Sequence, residues 1–207
     1  MEKHMNFKEF KEIIKKHPVF GSDVAELFSV HPQAMRNQLH RWKKKGLIVQ
    51  LKKGLYLLGK EERSVLASKE LLAGNLYQPS YISLETALSH YRLIPEKVAP
   101  TTSITARKTK TFQNKEGLFI YRHIKTTAYF GFQLMRDQSG FPYFLAEPEK
   151  ALLDYLYLNL VEIKTNDADY LRTSLRLQNE SSLIKAKLMR YAKRYGVKKL
   201  VKLAEGI

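Results

Sequence analysis

Apolar positions recur at helical spacing at both ends of the chain and in strand-like runs between them. Phe7, Phe10, Ile13 and Ile14 predict a helix over Asn6–His17 that Pro18 ends. Val24–Phe28 predicts a second, with Ser22 or Asp23 to cap it. Ser29-Val30-His31-Pro32 reads as a turn, and Pro32 suits the first position of the next helix. There Met35, Leu39 and Trp42 fall at i, i+4 and i+7, a single apolar stripe. Lys43-Lys44-Lys45-Gly46 closes the helix with cations at its negative end and a glycine terminator. Leu47–Leu51 and Leu55–Leu58 predict two short strands around Lys52-Lys53-Gly54. Helix, turn, helix and hairpin in this order describe a winged helix-turn-helix.

Beyond it the pattern changes. Residues 61–75 predict a connecting helix ended by Gly74-Asn75, and Tyr81–Tyr91 a helix capped by Ser83. Pro95 breaks the loop Leu93–Val98. Thr101–Thr111 and Leu118–Ile124 predict strands joined through Asn114–Gly117, and Tyr129–Met135 and Phe141–Leu145 a second pair around Asp137–Gly140. Two hairpins suggest an antiparallel sheet with helices against it. Pro148 opens an apolar helix, with Glu147 or Glu149 complementing its dipole. Asn166–Leu177 and Ser181–Tyr195 predict further helices, the latter with the stripe Ile184, Leu188, Tyr191 and Tyr195, before a short basic end at Val197–Leu203. The fold expected is α+β: a winged helix at residues 1–60 and an α/β domain at 61–207 whose residues 166–207 are basic helices.

Charge sharpens this picture. Residues 1–60 carry 13 Lys/Arg against 5 Asp/Glu, residues 172–207 carry 10 against 2, and residues 61–171 carry 13 of each. The net charge of +16 therefore sits at the two ends, a distribution that suits a polyanion whose counterions are released on binding. With no cysteine, disulfides, thiolate metal sites and cysteine nucleophiles are excluded. The first residues hold no long apolar run, so neither a signal peptide nor a membrane span is expected, and a cytoplasmic protein is. Met5 is an alternative start that would make residues 1–4 an extension.

Candidate chemistry gathers on the helix after the turn. Gln33, Arg36, Asn37, His40, Arg41 and Lys44 lie mostly off the apolar stripe. Arg, Asn and Gln are the residue types that make bidentate contacts to base edges in a major groove. Lys44 suits phosphate, and Lys52 and Lys53 at the hairpin tip suit phosphate or the minor groove, with a plain charged turn as the competing account. Lys187, Arg190, Arg194, Lys198 and Lys199 offer a second DNA surface, for which a plain solvated helix face is the competing account. Catalysis finds less support: the histidines at 17, 31, 40, 90 and 123 show no paired metal-ligand spacing, and no cofactor is implied. Gly54–Lys60 has phosphate-loop spacing, but Glu61 stands where a hydroxyl residue belongs and the intervening residues read as a strand. Glu147, Glu149 and Lys150 resemble the E-x-K half of a nuclease motif, so a nucleic-acid-processing enzyme is the alternative from another class.

The order of blocks is itself a signal. The hairpin LKKGLYLL, the stretch PSYISLETALSHYRLIPEKV at Pro79–Val98 with TSITARKTKTF and GLFIYRHIK after it, and FLAEPEKALLDYLYL at Phe144–Leu158 together resemble the AbiEi family of antitoxins. The resemblance spans roughly residues 20–160, and residues after Asn166 match in character only. It implies a regulator that represses its own toxin operon from double-stranded operator DNA with inverted-repeat character. It further implies a type IV antitoxin opposing a nucleotidyltransferase-like toxin without a stable complex. A solitary transcription factor of this architecture, with no toxin, is the remaining alternative.

Overall fold

A computed structural model describes residues 5–15, 18–163 and 170–207. Residues 1–4, His17 at the end of the first expected helix, and residues 166–169 of the helix expected over Asn166–Leu177 lie outside them. The protein is mixed α/β, with two sheets and helices against them.

The N-terminal elements run α1 (Phe7–Ile14), β1 (Val19–Gly21), a 3-10 segment (Ser22–Phe28), α2 (Pro32–Lys44), β2 (Ile48–Lys52) and β3 (Leu55–Leu58). Asn6 caps α1 by accepting the Lys8 amide at 3.1 Å. Ser22–Phe28 is wound as 3-10 rather than α, and neither Ser22 nor Asp23 caps it, because Gly21 occupies that position. The segment stops where Ser29 turns left-handed (φ 50°), letting the Ser29 and Val30 amides bond back to Glu26 and Ala25. Gly46, at φ 73°, ends α2: its amide reaches the Lys43 carbonyl at 3.1 Å and the Leu47 amide the Trp42 carbonyl at 3.0 Å. That paired closure needs a left-handed residue, which glycine supplies without steric cost.

The small sheet has the order β1-β3-β2, all antiparallel, so the expected hairpin gains a third strand from β1. Alternation along these strands divides their side chains between two cores. Phe20, Ile48 and Leu58 enter a cluster with Phe10, Ile14, Val24, Met35, Leu39 and Trp42. Leu51 and Leu57 instead join the larger cluster of the remaining chain, with Val19, Val49 and Leu55 packed against it. Strands buried on both faces read as continuous apolar runs, which is what LYLL is.

The rest comprises α3 (Lys69–Leu76), β4 (Ser80–Ile82), α4 (Leu84–His90), β5 (Thr101–Thr105), β6 (Lys110–Asn114), β7 (Gly117–His123), β8 (Phe132–Arg136), β9 (Pro142–Ala146), α5 (Pro148–Leu158), α6 (Lys185–Tyr195) and α7 (Lys198–Glu205). Its six-stranded sheet has the order β6-β7-β5-β4-β9-β8. The expected antiparallel sheet is corrected to a mixed one. The two hairpins β6–β7 and β8–β9 are antiparallel, as is β4–β5, but β5 pairs with β7 and β4 with β9 in parallel. All five residues of β5 are buried, so both faces of the sheet's centre are covered.

Several boundaries also move. The connecting helix begins only at Lys69, where the Ser68 hydroxyl accepts the Leu71 amide at 3.1 Å, and it runs through Gly74 and Asn75. Tyr81 and Ile82 belong to a strand, and Ser83 sits at the start of α4 without capping it, because its hydroxyl donates to Asp154. The described part of Asn166–Leu177 is a single π turn at Tyr170–Ser174 followed by irregular chain, and α6 starts at Lys185.

Because one sheet serves both cores, the two should unfold together. Leu57→Ala and Leu58→Ala, both at 0% exposure, are each expected to cost about 2–5 kcal/mol. Urea unfolding checks this, followed by Trp42 fluorescence for the smaller core and far-UV dichroism for the whole. Coincident transitions at a lowered midpoint are expected; separated ones would show that the sheet does not couple the cores.

Candidate nucleic-acid interface

The exposed side of α2 is set by its buried side. Met35, Leu39 and Trp42 are at most 3% exposed and seat the helix on the small core. Gln33, Arg36, Asn37, His40, Arg41 and Lys44 are all exposed. At 3.6 residues per turn these six occupy an arc of roughly 140° almost opposite the apolar stripe. The helix contains no acidic residue, so nothing on it competes for its cations. His31 opens it, with Nδ1 accepting the Gln33 amide at 3.3 Å, and Pro32 takes the first position.

The polar face is internally braced. Gln33 Oε1 accepts from Arg36 Nη2 at 2.7 Å and Nε at 3.2 Å, while Gln33 Nε2 donates to Asn37 Oδ1 at 3.1 Å. These exposed contacts hold the guanidinium along the helix and exchange readily for partners of similar geometry. Lys43 Nζ donates to Gln50 Oε1 at 2.9 Å and ties the helix end to β2. Arg41, Lys43 and Lys44 fill the last turn, where the helix dipole favours cations.

The two lysines expected at the hairpin tip are split. Lys53 is exposed there. Lys52 is half-buried, its ammonium donating to the Leu76 carbonyl at 2.5 Å at the end of α3. Burial, with repulsion from Lys110 and Arg107, pulls its pKa down. A register irregularity between Gln50 and Lys52 accounts for the turn of this side chain, since a bulge re-aims the residues after it. Gly54–Lys60 is hairpin strand and the start of a short 3-10 turn, with no phosphate cradle in its geometry.

The five C-terminal cations divide in the same way. Lys187 pairs with Glu147 at 3.0 Å and Glu149 at 3.3 Å, and Lys199 donates to the Leu160 carbonyl at 2.5 Å. Arg190, Arg194 and Lys198 are exposed, with the Arg194 guanidinium stacked 3.8 Å over Phe130 and that of Arg190 5.5 Å from Tyr191. Lys187 and Lys199 thus serve the protein's own packing.

Glu147, Glu149 and Lys150 do not converge on one site. Glu147 Oε2 accepts the Tyr191 hydroxyl at 2.5 Å; partial burial raises its pKa, but the bonds from Tyr191 and Lys187 outweigh that and lower it. Glu149 Oε1 accepts the Ile184 amide at 2.9 Å and so positions the entry to α6. Lys150 turns into the core and pairs with Asp154 one helical turn on, both at 0% exposure. Asp154 also accepts Tyr81 at 3.0 Å, Ser83 at 2.8 Å and Tyr195 at 2.6 Å, and Lys150 donates to the Tyr195 hydroxyl at 2.6 Å. Burial drives the Tyr81 and Tyr195 hydroxyls well above their ordinary range, with the Asp154 charge adding to the effect. Lys150 and Asp154 at i, i+4 on an otherwise apolar helix are the sequence signal for this pair, which the E-x-K reading passes over.

Helix, turn, helix and hairpin, with a donor-rich helix face turned outward from a mixed α/β body, define a protein of helix-turn-helix type. Residues 9–59 match the family model described as a transcriptional regulator, AbiEi antitoxin. That match runs from within α1 through β3 and supports the family the sequence resembles, one of regulators and antitoxins. No curated protein matches the chain. No helix among the described residues is long and apolar enough to cross a membrane.

The buried pair makes a sharp prediction. Asp154→Ala leaves the Lys150 ammonium unpartnered in the core and is expected to cost about 3–5 kcal/mol of stability. Tyr195→Phe removes one hydroxyl from the network and should cost about 1 kcal/mol. Equilibrium urea unfolding checks the ranking, and equal costs would show that the carboxylate is not the hub.

Proposed function

We propose that this protein is a sequence-specific DNA-binding repressor, built as a winged helix-turn-helix (residues 1–60) on a second domain (residues 61–207). It autoregulates a toxin–antitoxin operon in the cytoplasm and serves as that operon's type IV antitoxin. The observation that carries the DNA-binding half is the acid-free, fully exposed polar face of α2 opposite its buried stripe. On this reading α2 enters the major groove, a slot whose width admits one helix. Arg36 and Asn37 exchange their bonds to Gln33 for base edges, Gln33, His40 and Arg41 read or brace beside them, and Lys44 and Lys53 hold phosphates. The antitoxin half rests on the family resemblance: a nucleotidyltransferase-like toxin is opposed without a stable complex, and the operator is an inverted repeat upstream of the genes.

Arg36→Ala with Arg41→Ala is expected to abolish preference for the upstream duplex over a scrambled one, each good base contact carrying about 1–3 kcal/mol of discrimination. Lys53→Ala should weaken both duplexes alike. Fluorescence anisotropy on the two duplexes at fixed salt measures both. Operator preference that survives the double substitution would remove α2 as the reading element.

A further inference from the structure

The middle of the chain is neutral only on average. Between Arg107 and Lys125 it carries six Lys/Arg and one acid, Glu116, and Glu116 is taken by Arg63 at 3.3 Å. The fold gathers part of this excess at one place, where the free edge strand β6 lies beside β2. Asn114 Nδ2 bonds the Leu51 carbonyl at 3.2 Å across that seam. Three cations surround two neighbouring rings there. Arg107 lies 4.6 Å from the Tyr77 ring, Lys110 lies 5.2 Å from Phe112 and 5.7 Å from Tyr77, and Lys52 lies 5.9 Å from Phe112. Beside them a recess of about 640 Å³ is lined by Tyr77, Arg107, Lys108, Thr109 and His123.

No described residue neutralises this group. Among the described residues, none of Lys52, Lys53, Arg107, Lys108 and Lys110 forms an ion pair. Among the described residues the Arg107 guanidinium makes one hydrogen bond, to the Gln78 carbonyl at 3.0 Å. Burial lowers the pKa of Lys52, and repulsion from Lys110 and Arg107 adds to that shift in the same direction. Rings beneath cations fix their positions at little entropic cost, a pre-organised arrangement for chelating a delocalised anion.

We infer that Arg107, Lys108 and Lys110 form a phosphodiester-binding surface at the edge of the six-stranded sheet that grips the DNA backbone next to the β2–β3 hairpin. A phosphate suits the site better than a carboxylate of a protein partner, because it offers several equivalent oxygens to guanidinium and ammonium groups at once. The charge runs along the exposed loop that enters the edge strand β6 and onto its first residue, a stretch that can follow a phosphate backbone. Its contribution is sequence-independent and complements α2. The inference rests on the reading that duplex DNA is the partner, and its test separates the two.

The 207-residue chain carrying R107Q and K110Q is titrated with the upstream duplex and a scrambled duplex across about 50 to 200 mM NaCl. Each lost phosphate contact lowers the log–log salt slope by about 0.9, so a fall of roughly 1.8 is expected on both duplexes, with their affinity ratio unchanged. K108Q with K110Q, two exposed lysines whose ammonium groups form no hydrogen bond or ion pair among the described residues, is the second variant should loss of the Arg107 stack disturb folding, and the same fall is expected. An unchanged slope, a loss confined to one duplex, or an equal fall per charge removed in the control K97Q would overturn the site. If the slope falls while R36A/R41A keeps sequence preference, the site stands and the α2 reading fails; the reverse pattern sinks the site alone.

Discussion

The architecture depends on one constraint: a three-stranded sheet whose two faces belong to different cores. Phe20, Ile48 and Leu58 close the small core under α2, and on the opposite face Leu51 and Leu57 complete the larger one. Neither cluster is filled without the sheet, and neither can slide against it without exposing one set of side chains, since a one-residue slip exchanges the faces. Polar contacts then fix the rotation: Lys52 on the Leu76 carbonyl, Asn114 on the Leu51 carbonyl, and the ion pair of Lys11 with Glu62 at 2.8 Å. The exposed face of α2 is therefore held at a set angle to the body, whereas a flexible linker would leave it free to swing.

The larger core has a different anchor. A buried lysine and aspartate are costly to desolvate, and they persist here because both Asp154 oxygens and the Lys150 ammonium have hydrogen-bond partners. Asp154 collects Tyr81 and Ser83 from the β4–α4 junction, Lys150 from its own helix and Tyr195 from α6, so three elements are pinned by one carboxylate. The aromatic walls at Tyr81, Phe130 and Tyr195 stand 5.4, 5.0 and 4.7 Å from the ammonium and add cation–π attraction in place of water. Such a network specifies how α6 docks more than it adds to stability.

Local signals in the sequence were the reliable ones. The 35–39–42 stripe, Pro32 and Gly46 define α2 almost to the residue, because periodicity and caps act within one or two turns. The hairpins at Asn114–Gly117 and Asp137–Gly140 were legible for the same reason. What could not be read was non-local. The parallel pairings β4–β9 and β5–β7 join residues 63 and 18 apart at Ile82–Leu145 and Thr101–Phe119, with no local mark. Gly74 and Asn75 resemble terminators, yet α3 continues through them, the Asn75 side-chain Nδ2 donating back to the Leu71 carbonyl, because Leu71, Leu72, Ala73 and Leu76 are buried. Tertiary burial outweighed propensity. At the candidate interface, the exposed residues of α2 followed from periodicity alone. The fate of Lys52, Lys187 and Lys199 did not, since which lysine finds a carbonyl or a carboxylate depends on elements far away in the chain. Averaging charge over residues 61–171 concealed the cluster at Arg107–Lys110 for the same reason.

A fixed angle between α2 and the sheet edge has a consequence for recognition on the proposed reading. A protein whose base-reading helix and backbone grip were flexibly joined would fit each to straight DNA separately. Here the two surfaces are parts of one packed body, so the duplex must adapt to their spacing wherever its own path differs. The cost of that adaptation depends on base-step stiffness, which makes positions never touched by Arg36 or Asn37 count toward preference. On that reading, specificity resides partly in the rigidity contributed by Leu51 and Leu57, two residues buried away from the proposed DNA face.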